Sequence, residues 1–170
     1  YILKERLEIF SLTAEPGVEP PPLPVAECCS SVAFLPGLEA SRLYRPGLTS
    51  FTEDQLWYPN TRNDLLNLQL SPTTGESLDP NIYTRDVIDE VAGVVNIYKG
   101  FISQMEELEE AENIKQFEIF PYDWRKDQKD AATALVAIGR NGERYSMIQK
   151  LEEMASSSPT KKVTLVTHSN

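Results

Sequence analysis

Apolar and polar positions change period several times along the chain, and each change marks an element. Ser31-Val32-Ala33-Phe34-Leu35 is a nearly unbroken apolar run closed by Pro36-Gly37, the pattern of a buried strand ended by a turn. From Val91 the residues Val91, Val94, Val95, Tyr98, Phe101, Ile102, Met105 and Leu108 recur at three- and four-residue steps, which predicts one helix running to about Glu110. Phe117-Glu118-Ile119-Phe120 predicts a second strand, stopped by Pro121. Tyr145, Ile148, Leu151 and Met154 then line one face of a helix that Ser156-Ser157-Ser158-Pro159 breaks. Val163-Thr164-Leu165-Val166 reads as a last buried strand. Strand, helix, strand, helix, strand in this order predicts an α/β fold with a mostly parallel sheet and flanking helices.

Between these elements the pattern is less regular. Residues 1–13 alternate loosely and fit a strand or the tail of an upstream element. Glu15 to Pro24 holds five prolines, which fix φ and remove backbone donors, so the stretch favours an extended linker. The division is therefore a tail over 1–15, a proline-rich linker over 16–24 leading to an upstream domain, and the principal domain over 25–170. A surface loop of one domain is the competing reading of the linker. Residues 51–80 are polar and punctuated by Pro59, Pro72, Gly75 and Pro80, which predicts long excursions with short helical pieces around Asp64 to Leu70. Residues 130–138 fit a helix, but the Asn141-Gly142 turn signal supports a hairpin across the same region. Both stay open.

Composition removes several classes of function. Lys plus Arg number 16 against 26 Asp plus Glu, a formal net charge of −10 with no basic stripe, so nucleic acid is not an expected partner. An anionic membrane surface is disfavoured for the same reason. No apolar run approaches the ~20 residues of a membrane span, so any lipid contact is expected to be peripheral. The acidic group Glu106, Glu107, Glu109, Glu110 and Glu112 reads as the solvated end of a helix; no metal or other cofactor is expected. Cys28 and Cys29 are adjacent, an awkward geometry for a disulfide, and read as free thiols. Tyr1 is not a start methionine, which fits a fragment or a mature segment.

Three stretches carry candidate chemistry. The terminal strand runs into Thr167-His168-Ser169-Asn170, the pattern of a nucleophile elbow, in which a serine on a sharp strand-to-helix turn holds its hydroxyl clear of the sheet. The elbow calls for a glycine two residues after the serine, beyond Asn170. Pro36-Gly37-Leu38 follows the first core strand, where a glycine lets the backbone pass close to a ligand and the next N–H can face developing negative charge; a plain tight turn is the alternative. Pro121-Tyr122-Asp123-Trp124-Arg125 reads as structural, an Asp123–Arg125 pair with Trp124 packed over a strand end.

In this order the stretches resemble the lecithin:cholesterol acyltransferase-like branch of the α/β-hydrolases, which includes lysosomal phospholipases and diacylglycerol acyltransferases. The resemblance is carried by Val32 to Leu43, Leu56-Trp57, Pro121 to Arg125 and Val163 to Asn170. It implies the N-terminal part of an α/β-hydrolase domain that ends at the elbow. Ser169 would be the nucleophile, and the backbone N–H groups of Leu38 and Asn170 the oxyanion hole. His168 would pack and hydrogen-bond rather than act as base. The triad aspartate and histidine would follow beyond the chain end, so residues 1–170 alone would be inactive.

The reaction implied is a serine esterase, lipase, phospholipase-like or O-acyltransferase step on an acyl-ester or lipid substrate. Water and an alcohol acceptor are both compatible with it. A cap or lid is expected within 49–113, with Leu56 and Trp57 as candidate substrate-binding residues and Leu65, Leu66 and Leu68 nearby; simple core packing is the alternative for these side chains. Thr167 departs from the small residue that the elbow prefers. The setting suggested is extracytoplasmic. The alternative function is a non-catalytic binding module that retains the hydrolase scaffold.

Overall fold

The structure is a computed structural model that describes residues 29–49, 51–91, 93–133, 137–138 and 143–169. The tail and linker expected over 1–24 lie outside the described residues. The elements are β1 (Ser31–Leu35), β2 (Leu43–Pro46), β3 (Glu53–Trp57), α1 (Arg62–Asn67), β4 (Glu90–Val91), β5 (Val95–Asn96), α2 (Lys99–Glu110), β6 (Phe117–Ile119), α3 (Gln128–Thr133), β7 (Ala137–Ile138), β8 (Arg144–Tyr145), α4 (Met147–Ser157) and β9 (Val163–Thr167). No helix among the described residues is long and apolar enough to cross a membrane.

The centre is a parallel sheet of three strands in the order β6-β1-β9. Val32 stands opposite Phe117 and Thr164, and Leu35 opposite Thr167. Alternation along β1 sends Val32 and Phe34 to one face, where they meet Phe117, Tyr98 and the α2 residues Phe101, Ile102 and Met105. Ala33 goes to the other face, with Phe120, Tyr145 and the α4 residues Met154 and Leu151. Because both faces are covered, β1 is apolar from Val32 to Leu35, and Ser31, also buried, donates its hydroxyl to the Met154 carbonyl. The path from β1 to β6 and that from β6 back past β1 to β9 run in opposite directions, so two right-handed crossovers put α2 and α4 on opposite faces. The protein is thus of mixed α/β class, as its sequence predicts.

The last helix has a local origin. Ser146 caps α4: its hydroxyl accepts from the Gln149 N–H at 3.3 Å while the Gln149 side chain accepts from the Ser146 N–H at 3.4 Å, a reciprocal capping box. Ser146→Ala is expected to destabilise the fold by about 1 kcal/mol, read as a fall in Tm of about 2–4 °C.

Several expectations are corrected. The helix predicted from Val91 begins at Lys99, because Glu90–Val91 and Val95–Asn96 pair as a small hairpin turning at Gly93, whose φ of 69° a side chain would resist. Val94, assigned to the helix stripe, is 83% exposed at that turn. Tyr145 belongs to β8 rather than to α4. Helix and hairpin both form after Arg125, as α3 followed by β7–β8. Within the stretch read as polar excursions, Glu53–Trp57 forms β3, which pairs antiparallel with β2, and Leu43 and Leu56 of the two strands close a small core with Leu68 and Ile82. The last strand, expected to be buried, is an edge strand of the described sheet. Val163 and Val166 reach the two core clusters, but Leu165 is 52% exposed. Cys29 is disulfide-bonded, against the expected free thiol; the chain's other cysteine, Cys28, lies outside the described residues.

Candidate functional site

Adjacent parallel strands place their carboxyl ends side by side, and the chain leaving β1 returns on the β6 side, so a crevice opens above β1 and β9. The two sequence motifs at these ends meet there. The pairing continues one residue past β9, where the His168 N–H donates to the Leu35 carbonyl at 3.1 Å. Ser169 then turns sharply, with φ of +54°. That left-handed conformation costs a non-glycine residue about 1–2 kcal/mol and persists only where its surroundings impose it. Ser169 is exposed at this turn. Asn170 lies outside the described residues.

Facing it is Gly37. A Cβ there would stand 3.0 Å from the His168 carbonyl oxygen, 3.2 Å from His168 Nδ1 and 3.2 Å from Ser169 Cβ, so only glycine lets the two turns approach this closely. The Gly37 carbonyl accepts from the Ala40 N–H at 3.1 Å, which closes a tight turn with Leu38 65% exposed at its apex. The Leu38 N–H has no hydrogen-bond partner among the described residues. At the far side of the turn, the Trp57 indole N–H donates to the Glu39 carbonyl at 2.6 Å.

The loop is held from below. Ser41 is buried: its hydroxyl accepts from the Tyr122 N–H at 3.0 Å and its carbonyl from the Trp124 indole at 3.2 Å. Arg42 donates to the Val87 carbonyl at 2.5 Å and to the Asp89 carboxylate at 2.9 Å. Burial works to raise the Asp89 carboxyl, but the Arg42 hydrogen bond and charge, together with backbone N–H donors, outweigh it and the group lies below its ordinary value. Asp123 and Arg125 form a two-pronged pair, Nε to Oδ1 at 2.8 Å and Nη2 to Oδ2 at 2.6 Å, with side chains only 1% and 4% exposed. Arg125 also donates to the Leu68 carbonyl at 3.0 Å, so the pair ties the turn after β6 to the end of α1. Its role is structural, as the sequence suggests.

Two clefts flank Leu38 and Trp124. The first, about 560 Å³, is walled by Leu35, Tyr122, Met147 and Ser169 as well, with Lys126 among its lining residues. Burial, with Tyr98 adding to it, raises the Tyr122 hydroxyl above its ordinary value, so this phenol is neutral at physiological pH. The second, about 440 Å³, runs over Trp57, Leu65, Leu68 and Leu70. Trp57 therefore borders a cleft. Leu56 is fully buried in the Leu43–Leu68–Ile82 core and meets no ligand unless that core rearranges. Leu65 and Leu66 are exposed.

His168 is the chain's only histidine. Its Nδ1 lies 2.9 Å from the Tyr98 hydroxyl, and the two rings meet edge to face at 5.5 Å. The same hydroxyl accepts from the Gly37 N–H at 3.1 Å. Sequence reasoning counted Tyr98 only as one member of an apolar stripe, and missed Ser41 as the anchor of the loop. Neither has a local signal, because their partners lie far along the chain. Ser169 and Leu38, whose backbone N–H has no hydrogen-bond partner among the described residues, thus line one mainly apolar cleft. Comparison of the chain with known protein families, curated proteins and solved structures found no match.

Proposed function

We propose that this chain is the N-terminal part of an α/β-hydrolase domain in which Ser169 forms an acyl-enzyme, serving a lipase-, phospholipase- or O-acyltransferase-like reaction on acyl esters. The observation that carries the reading is the left-handed Ser169, exposed at the carboxyl end of β9 and pressed against Gly37 beside an apolar cleft. A serine hydroxyl attacks an ester carbonyl only when a base removes its proton and donors accept the charge that forms on the carbonyl oxygen. Here the Leu38 N–H is one such donor, and the Asn170 N–H, next to the serine, is the second. The serine oxygen bonds to the acyl carbon, the alkoxide leaves with the proton that the base took up, and water or an alcohol then releases the acyl group. His168 is engaged with Tyr98 and adjacent to the serine, so the base and its orienting acid are sought in the reading frame after Asn170.

The apolar clefts suit an acyl chain, since burying each CH₂ contributes about 0.8 kcal/mol. The deciding experiment treats the full-length protein with a fluorophosphonate and maps the modified residue by mass spectrometry. A single adduct on Ser169 is the expected result. Folded protein that takes up no label would instead favour a binding module on the same scaffold. Gly37→Ala gives a second expectation. The added methyl must push the loop from the elbow by a few tenths of an ångström, and since a 1 Å misplacement loses roughly 10²-fold, labelling should slow about tenfold. An unchanged labelling rate would show that the close approach of the two turns is irrelevant to the chemistry.

A further inference from the structure

We infer that Tyr98 is a positioning residue whose hydroxyl fastens the loop carrying the Leu38 N–H to the turn carrying Ser169; the inference rests on the acyl-enzyme reading above. Tyr98 immediately precedes α2, and its buried ring meets Phe34 of β1 edge to face at 5.0 Å, so the hydroxyl is held at a fixed height above the sheet. A phenol offers one hydrogen and two lone pairs. The Gly37 N–H, 3.1 Å away, takes one lone pair, and the hydroxyl still has its hydrogen and a second lone pair with which to meet His168 Nδ1 at 2.9 Å in either tautomer of the ring. One hydroxyl therefore links the Gly37 N–H to the His168 ring.

Each bond orients one half of the site. Gly37 is the residue with the widest backbone freedom, and it stands directly before the Leu38 donor. Anchoring its N–H fixes the Pro36–Gly37 peptide plane, and the Gly37 carbonyl, bonded to the Ala40 N–H, fixes the next plane, from which the Leu38 N–H is aimed. At the other end, His168 is bonded through its backbone N–H to Leu35 and through its ring to Tyr98, so the residue before Ser169 is held at two points. One hydroxyl thus sets the spacing between an oxyanion donor and the nucleophile without touching substrate. It also explains why a histidine that is not the base stands before the serine.

The test uses full-length protein and fluorophosphonate labelling, with kcat and KM for a p-nitrophenyl ester measured beside it. Tyr98→Phe keeps the ring and removes only the oxygen. Losing an oxyanion donor outright costs about 10²–10³-fold; here the donor remains but is no longer aimed, so labelling and kcat should fall about tenfold while KM stays within about twofold. His168→Ala, at an exposed position, should fall by a similar factor. The double variant should be no slower than the slower single variant, because both substitutions cut the same connection. A general loss of packing would instead make the two effects multiply. Ser169-dependent labelling that Tyr98→Phe leaves unchanged, or multiplicative effects, overturns the positioning role and leaves the nucleophile intact. No Ser169-dependent labelling in the unsubstituted protein overturns the acyl-enzyme reading and this inference with it.

Discussion

Ser169→Ala is expected to abolish fluorophosphonate labelling and to lower ester turnover of the full-length protein by about 10⁴-fold or more, the scale set by removal of a triad nucleophile. The prediction follows from position as much as from residue type. A serine hydroxyl is ordinarily a poor nucleophile, and most serines at strand ends are solvated turn residues. This one adopts φ of +54°, faces Gly37 across a gap too small for a methyl group, and borders an apolar cleft of about 560 Å³. Alanine tolerates the left-handed backbone no worse than serine does, so Tm should move by no more than about 2 °C. Activity and stability therefore separate in this variant. Label that persists in Ser169→Ala, or that maps to another residue, would remove Ser169 from the chemistry.

Asp123→Ala has the largest expected effect on stability. Its carboxylate and the Arg125 guanidinium are both almost wholly enclosed and paired through two bonds. Truncating the acid leaves a buried cation without its partner, which costs about 3–5 kcal/mol. That is a large fraction of the ~5–15 kcal/mol that holds a domain folded. Denaturant unfolding should report it as a lower midpoint. The double variant Asp123→Leu with Arg125→Met should lose less than Asp123→Ala alone, since exchanging both charges for apolar groups leaves no buried charge unpaired. A single-variant loss below about 1 kcal/mol would show that the pair is better solvated than its enclosure implies. Because Arg125 also holds the Leu68 carbonyl, the loss should extend to the Trp57–Leu68–Trp124 cleft.

The two conditions under which a sequence pattern is readable are visible in particular elements. β1 is legible because both its faces are covered, which makes Val32 to Leu35 a continuous apolar run. α4 is legible because its start and stop are written locally, in the Ser146–Gln149 box and in Ser156 to Pro159. The helix expected at Val91 was misplaced for a matching reason. Val91, Val94 and Val95 have helical spacing by coincidence, and a left-handed Gly93 with cross-strand pairing overrides it. The β2–β3 pair left little trace because β3 buries only Leu56 fully, too few positions to establish a period of two.

The site divides along the same line. Residue types and their order along the chain determined, by themselves, an α/β class, through the succession of locally patterned strands and helices, and a serine after a strand, a glycine loop after another and an Asp–Arg pair, each written within ten residues. Only the tertiary structure decided that Gly37 and Ser169 nearly touch, that Ser41 carries the loop, and that one Tyr98 hydroxyl joins Gly37 to His168. Tyr98 stands 61 residues from the first and 70 from the second. Such bonds depend on strand order and on the height of a ring above the sheet, quantities set by the packing of distant segments that no local pattern encodes.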